Sequence, residues 1–323
     1  MAAACQFRLP RGKFVDQAFI RGYRLFMLFS ATGRSLRIGA VLPLLLIFVQ
    51  PLSSDPGLKS RPEGTYLRKL ADKGTLRIGL QKNVAPFHIP GNSDFPGLDV
   101  EIGTSIANHM GLKPNFVFGD LDELIALAAR GEIDIALGGV SSDLQRGLTV
   151  NFSDPYLKTT PAALLNRKAL PPETGSIDFP KKKFESLLDL RYAGALKIGV
   201  KSGTTNEEIL TTDPEFSMHT IKAFPNNKSG MEALEDGEID AFVADGVFIK
   251  AQTIMRKGLL SRFVPLQSVY REEHLSLVLP PGHPEYWMYM NFILKEMHRT
   301  GEMKRIYDRY FSDSEWAKDT IVE

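Results

Sequence analysis

Two distant segments of the chain carry the same plan. "ELIALAARGEIDIALGG" (Glu123 to Gly139) and "GMEALEDGEIDAFVADG" (Gly230 to Gly246) each read as a helix, a glycine stop and an apolar strand, with Gly-Glu-Ile-Asp at the join. Helical periodicity ends at Gly131 and Gly237, where glycine closes a helix in the left-handed region, and the strands are expected to begin at Ile133 and Ile239. A shared opening strand precedes each unit: "TLRIGLQKN" (Thr75 to Asn83) and "ALKIGVKSG" (Ala195 to Gly203). Chance could produce one tetrapeptide match; the paired opening strands weigh against it. The spacing differs between the two copies, so the echo is one of supersecondary plan and not a tandem repeat.

Strands alternating with helices predict two α/β lobes, each with a parallel-type sheet. The 323 residues suffice for two domains at about 150 each. Open α/β sheets bind ligands beyond the carboxyl ends of their strands. That rule selects Gln81 to Phe87, Gly139 to Arg146, Lys201 to Asn206 and Ala244 to Gly246, two segments from each lobe. A cleft between the lobes gathers all four.

Within these segments Arg146 offers a planar fork that matches a carboxylate, although for the residue alone a surface role or a pair with Asp143 is the simpler reading, and its neighbours Gly139 and Ser141 change the balance. Gly139 lets the backbone approach a ligand, and the Ser141 amide can donate to the same carboxylate. "KSGTTNEEIL" (Lys201 to Leu210) opens a helix whose free amides favour an anion; alternatively Thr204 or Thr205 caps it, with Glu207 and Glu208 complementing the dipole. Asp245 either pairs with a ligand ammonium or caps a helix from Gly246 to Lys257. Phe87 forms an apolar wall or belongs to the core. An anion holder on both lobes and a carboxylate for a cation together complement a zwitterion, the simplest being an α-amino acid.

Lys plus Arg total 39 against 38 Asp plus Glu, so no global field favours nucleic acid. With one cysteine, Cys5, an internal disulfide and a Cys-based metal site are excluded. The six histidines are scattered without metal-ligand spacing, and neither metal nor cofactor is expected.

The front of the chain reads as an address. Arg34 and Arg37 precede an apolar run from Ile38 to Val49, broken by Pro51, Ser53 and Ser54, which predicts a signal segment over 1–54 with translation starting at Met27 and a mature start near 53–60. An uncleaved anchor is the alternative. Both place the remainder in an extracytoplasmic space.

The ordered set "RIGLQKNVAPF", "GLDVEIGTSIANHMGL", "ELIALAARGEIDIALGGVSSDLQR", "FSDPY", "VKSGTT", "GEIDAFVAD" and "RTGEMKRIYDRYF" resembles the extracellular solute-binding proteins of family 3, the polar amino-acid-binding proteins of ABC importers, from about Thr75 to Phe311. The resemblance implies a two-lobed, type II periplasmic-binding-protein-like α/β fold, each lobe a mixed sheet flanked by helices, with lobe 1 over 75–164 plus 267–313 and lobe 2 over 165–266. The hinge crossovers are expected near Ala162 to Asn166 and Pro265 to Tyr270. It also implies a monomer without enzymatic activity that captures an amino acid or similar small carboxylate and delivers it to a membrane permease.

By the same resemblance, Arg146 and the amides of Ser141 and Thr205 hold the α-carboxylate. The Gly139 carbonyl and Asp245 receive the α-ammonium, and Gln81, Val84, Phe87, Leu121 and Lys201 lie near the ligand side chain. The family often has an aromatic where Leu121 stands, and its usual Met-Thr is Val140-Ser141 here, which leaves the ligand open. Cyclohexadienyl dehydratases also resemble this family, and the alternative is such an enzyme with Glu207 as general acid. The stretch Asn166 to Leu190 is expected to be a surface excursion.

Overall fold

A computed structural model describes residues 57–171, 183–256, 258–312 and 315–317, together with the backbone of a short antiparallel pair, β1 (Phe19–Ile20) and β2 (Tyr23–Arg24). The rest of the expected signal segment, with Cys5, Met27 and the run from Ile38 to Val49, lies outside the described residues. The chain divides into two units, Met1–Leu52 and Ser53–Glu323.

The second unit opens with α1 (Tyr66–Lys73), capped by the Thr65 hydroxyl and ended by Gly74 in the left-handed region. The elements β3 (Thr75–Gln81), α2 (Leu98–His109), β4 (Lys113–Gly119), α3 (Leu121–Ala129), β5 (Ile135–Ala136) and β6 (Asn151–Thr159) follow. Next come β7 (Pro161–Asn166), β8 (Lys197–Lys201), α4 (Thr205–Thr212), β9 (Thr220–Phe224), α5 (Asn227–Asp236), β10 (Ala241–Asp245), α6 (Gly246–Met255), α7 (Leu259–Arg262) and β11 (Phe263–Leu266). The chain then returns through β12 (Glu273–Leu279) to α8 (Pro284–Arg299) and α9 (Glu302–Phe311).

Two five-stranded sheets result, ordered β4-β3-β5-β12-β6 and β11-β7-β10-β8-β9. The expected parallel core is present as β4-β3-β5 and β10-β8-β9. Both sheets are nevertheless mixed, because β12 pairs antiparallel with both β5 and β6 in the first, and β7 pairs antiparallel with both β10 and β11 in the second. Ala162 to Asn166, where a crossover was expected, lies within the full strand β7, paired with β10 and β11, and Pro265 and Leu266 of the second expected crossover lie in β11. Their backbone groups are used by the second sheet, so the chain crosses at Thr160 and again over 267–272.

The second sheet explains why β7 and β10 read as unbroken apolar runs. Ala162, Leu164, Phe242 and Ala244 face one core, while Ala163, Leu165, Ala241 and Val243 face the other. A strand buried on both faces has no polar side to alternate with. Of the expected excursion, residues 172–182 lie outside the description. Its last part is not surface, since Leu187 and Leu190 are buried against the second sheet.

The Gly-Glu-Ile-Asp echo has one physical cause in both lobes. The Asp134 amide donates to the Arg77 carbonyl and its Oδ2 accepts from the Arg77 amide, both at 2.8 Å. Asp240 makes the same two bonds to Lys197, both again at 2.8 Å. The preceding isoleucines, Ile133 and Ile239, lie over Gly79 and Gly199 of the opening strands, in space that a Cβ there would need. Because the aspartates act as clamps, β5 and β10 begin two residues after the isoleucines where the sequence placed them.

Candidate ligand-binding cleft

The carboxyl ends of β3, β8 and β10 and the turn after β5 meet around a cavity of about 40 Å³. At the ~10–15 Å³ that one water requires, this is room for about three waters. All four segments selected from the sequence supply wall residues: Gln81, Val84 and Phe87; Gly139; Lys201, Thr204 and Asn206; Ala244 and Asp245. Leu121, at the start of α3, completes the set expected to line it.

The Gly138–Gly139 turn is held from behind. Gly138 and Gly139 have φ of 139° and 65°, a region that favours glycine, and a Cβ on Gly139 would stand 3.0 Å from the Phe87 ring. Asp99, near the start of α2, is buried and faces the amides of both glycines, while the Tyr156 hydroxyl donates to its Oδ2 at 3.3 Å. Burial pushes the Asp99 carboxyl up to about 7, and these donors oppose the rise. Phe87 is both wall and core, being 2% exposed, so the two readings of that residue are compatible.

Asp245 precedes α6 but its side chain caps nothing. Its carboxylate is half-buried, receiving a 3.4 Å hydrogen bond from Asn206 Nδ2. Burial first, and the adjacent Glu273 carboxylate second, hold it well above the usual carboxylate range. Asn206 is buried, lines the cavity, and its Oδ1 has no hydrogen-bond partner among the described residues.

Glu273, Asn206 and Asn227 are polar residues that sequence reasoning missed. Asn206 lay in a selected loop, hidden behind its threonines. Glu273 carries no local signal. It is placed by long-range pairing, in which residues 140–142 run antiparallel along β12 through Ser142 N to His274 O and Ser276 N to Val140 O, each 3.0 Å. The Ser141 hydroxyl then donates to Glu273 Oε2 at 3.2 Å.

Arg146, Ser141 and Thr205 are not in the cavity wall. Arg146 instead lines a separate pocket with Asp122, Ala126 and Thr149. Nη1 donates to the Ser141 carbonyl at 3.1 Å, Nη2 to the Gly203 carbonyl of the other lobe at 3.0 Å, and Nε pairs with Asp143 at 3.2 Å. A guanidinium has five N–H donors, so two remain for a ligand. Thr205 is the first residue of α4, whose cap is Thr204. Glu207 also stays out of the wall, its carboxylate accepting from the Gly203 amide at 2.7 Å. The sequence alternative that made it a general acid therefore finds its carboxylate committed to the loop.

A second cross-lobe contact lies inside the cavity: Lys201 Nζ donates to Gln81 Oε1 at 2.9 Å, and Gln81 Nε2 donates to the Gly138 carbonyl. Burial lowers the Lys201 pKa.

The family model of the bacterial extracellular solute-binding proteins, family 3, matches residues 76–313, which takes in both sheets and the cleft. The chain belongs to this family. A relative, the "Probable histidine-binding protein" of Neisseria gonorrhoeae, is 26% identical over 238 residues, 73% of this chain and 82% of that protein. The "L-cystine-binding protein TcyJ" of Escherichia coli (strain K12) is 23% identical over 269 residues, 83% of this chain and 94% of the other. Among solved structures, the ancestral amino acid-binding protein AncCDT-1, described as a precursor of cyclohexadienyl dehydratase, is similar with a TM-score of 0.61 at 26% identity, covering 75% of this chain and 98% of that one. The fold is the two-lobed type II periplasmic-binding-protein architecture. Family 3 binding proteins are extracytoplasmic, and no helix among the described residues is long and apolar enough to cross a membrane.

Proposed function

We propose that this solute-binding protein captures an α-amino acid between its lobes and delivers it to the permease of an ABC importer. The carrying observation is Asp245: a half-buried carboxylate at a strand end, capping no helix, in the same cavity wall as Gly139 and as Asn206, whose Oδ1 has no partner among the described residues. A half-buried carboxylate that shares the wall of one small cavity with Asn206 and Gly139 suits an ammonium group, because withdrawing a carboxylate from water without a cation is costly. The spare donors of Arg146, with the amides of Ser141 and Thr205, suit the α-carboxylate. The relatives' names, histidine-binding and L-cystine-binding, point to the same ligand class.

A cavity of about 40 Å³ is too small for an amino acid to enter directly. The lobes therefore open about Thr160 and residues 267–272, with lobe 1 before and after those crossings and lobe 2 between them, and close around the ligand. The functional unit is a monomer, without metal or cofactor, whose export rests on the amino-terminal segment.

A thermal-shift screen of amino acids and small carboxylates tests the reading, because a ligand that binds the folded state raises the melting temperature by linkage. A shift with one or more amino acids is expected. No shift with any of them, or consumption of prephenate or arogenate on incubation, contradicts it in favour of another solute or of dehydratase chemistry.

A further inference from the structure

The far end of the cavity shows which kind of amino acid fits, an inference that rests on the function proposed above. Lys201 stands at the end of β8 with its ammonium turned into the cavity, and among the described residues its hydrogen bond is to a neutral amide, Gln81 Oε1, at 2.9 Å. No carboxylate forms an ion pair with it there. Asp120 and Asp122, both exposed, and Asp245 act on it through space, as does Arg146 with the opposite sign. Exposed carboxylates are screened by water and compensate a half-buried cation weakly.

The other polar groups at this end add donors. Gln81 has an amide N–H₂ now spent on the Gly138 carbonyl, and Asn227, the first residue of α5, brings a second amide to the wall. Val84, Phe87, Leu121 and Phe248 supply apolar wall between polar ends. A ligand with a cationic side chain would set a second positive charge against Lys201. A neutral side chain would leave that ammonium with no better partner than Gln81.

We infer that the ligand is an amino acid whose side chain ends in an anion, a carboxylate or sulfonate, which Lys201 takes up in exchange for Gln81. A charge-assisted bond of this kind is about twice as strong as the neutral contact it replaces. It also explains why a cation is kept inside the cleft at the cost of desolvation, which lowers the Lys201 pKa.

Calorimetry on the full chain tests this with two sets of ligands. Aspartate, glutamate and cysteate bear a carboxylate or sulfonate at the far end, and the last of these separates sulfonate from carboxylate. Asparagine, glutamine, serine, histidine, lysine and arginine do not. The tightest ligand is expected in the first set, at least about tenfold ahead of its neutral counterpart. Lys201→Met, confirmed folded by its melting curve, is expected to erase that lead, and Lys201→Arg to retain most of it. A neutral or cationic side chain at the head of the panel, or an unchanged lead in Lys201→Met, overturns the inference while leaving amino-acid binding intact. Failure of every amino acid to bind defeats the underlying function, and the inference with it.

Discussion

Arg146 of the first lobe donates from Nη2 to the carbonyl of Gly203 in the second, at 3.0 Å. The same guanidinium holds the Ser141 carbonyl of its own lobe. It therefore ties together the two backbone segments whose amides are proposed to grip the ligand carboxylate.

Replacing Arg146 removes both the tie and the charge. Arg146→Ala is expected to weaken ligand binding by about 2–5 kcal/mol, since an enclosed ligand carboxylate loses its partner. Arg146→Lys is expected to recover little of this, because an ammonium cannot hold two carbonyls and a carboxylate with one planar fork. Isothermal titration calorimetry of both variants checks the order.

Ligand binding is expected to release protons. Burial and then Glu273 raise the Asp245 pKa, with Asn206 and Lys201 opposing the rise; Tyr156 is the other titratable group near enough to feel its charge. A ligand ammonium favours the ionised carboxylate and lowers that pKa in the complex. The ligand-free protein then holds more protons than the complex, so affinity rises with pH up to the raised pKa of the free cleft and levels off above it. Calorimetry at neutral pH in buffers of different ionisation enthalpy measures the protons released, and Glu273→Gln should reduce that number.

Asp99 predicts a stability trend of the same origin. Its carboxyl is raised to about 7 in the folded protein, against about 3.9 unfolded. Between those values the folded state holds the extra proton. Its contribution is thus fully present below about pH 4 and is lost as pH rises to about 7. Against a background set by the other carboxylates, Asp99→Ala should lessen the decline in stability over that window. It should also loosen the Gly138–Gly139 turn, and urea denaturation at several pH values reads the first effect.

The echo between the lobes makes a packing prediction. A Cβ on Gly79 would lie 2.6 Å from Ile133 Cδ1 and 2.9 Å from Leu124 Cδ2. Gly79→Ala is therefore expected to cost about 1–3 kcal/mol by overpacking, measured by denaturant unfolding. Pairing it with Ile133→Val should return part of the loss.

The echo was also the most legible part of the sequence. Arg77 and Lys197, Gly79 and Gly199, Ile133 and Ile239, and Asp134 and Asp240 are local patterns whose partners sit at fixed places on neighbouring strands. Periodicity and glycine stops expose such patterns. The strand ends that feed the cleft were legible for the same reason, through the rule that α/β sheets bind at their carboxyl edges.

Two things were not legible. Apolar runs buried on both faces resemble a buried connection as much as a strand, so sequence alone does not separate the expected crossover near Ala162 to Asn166 from β7. Glu273 sits at the start of a returning strand, 132 residues from the Ser141 hydroxyl it accepts from. No local pattern encodes a contact made only when a segment crosses between lobes.

The most direct test trims the ligand instead of the protein. Once the tightest amino acid is known, its affinity is compared by calorimetry with that of its decarboxylated amine and of its 2-hydroxy acid. If Arg146 and Asp245 grip opposite ends of one zwitterion, each analogue should bind at least about a hundredfold more weakly, or about 2.7 kcal/mol. Retention of either analogue within about tenfold of the parent would contradict a cleft built for both charges.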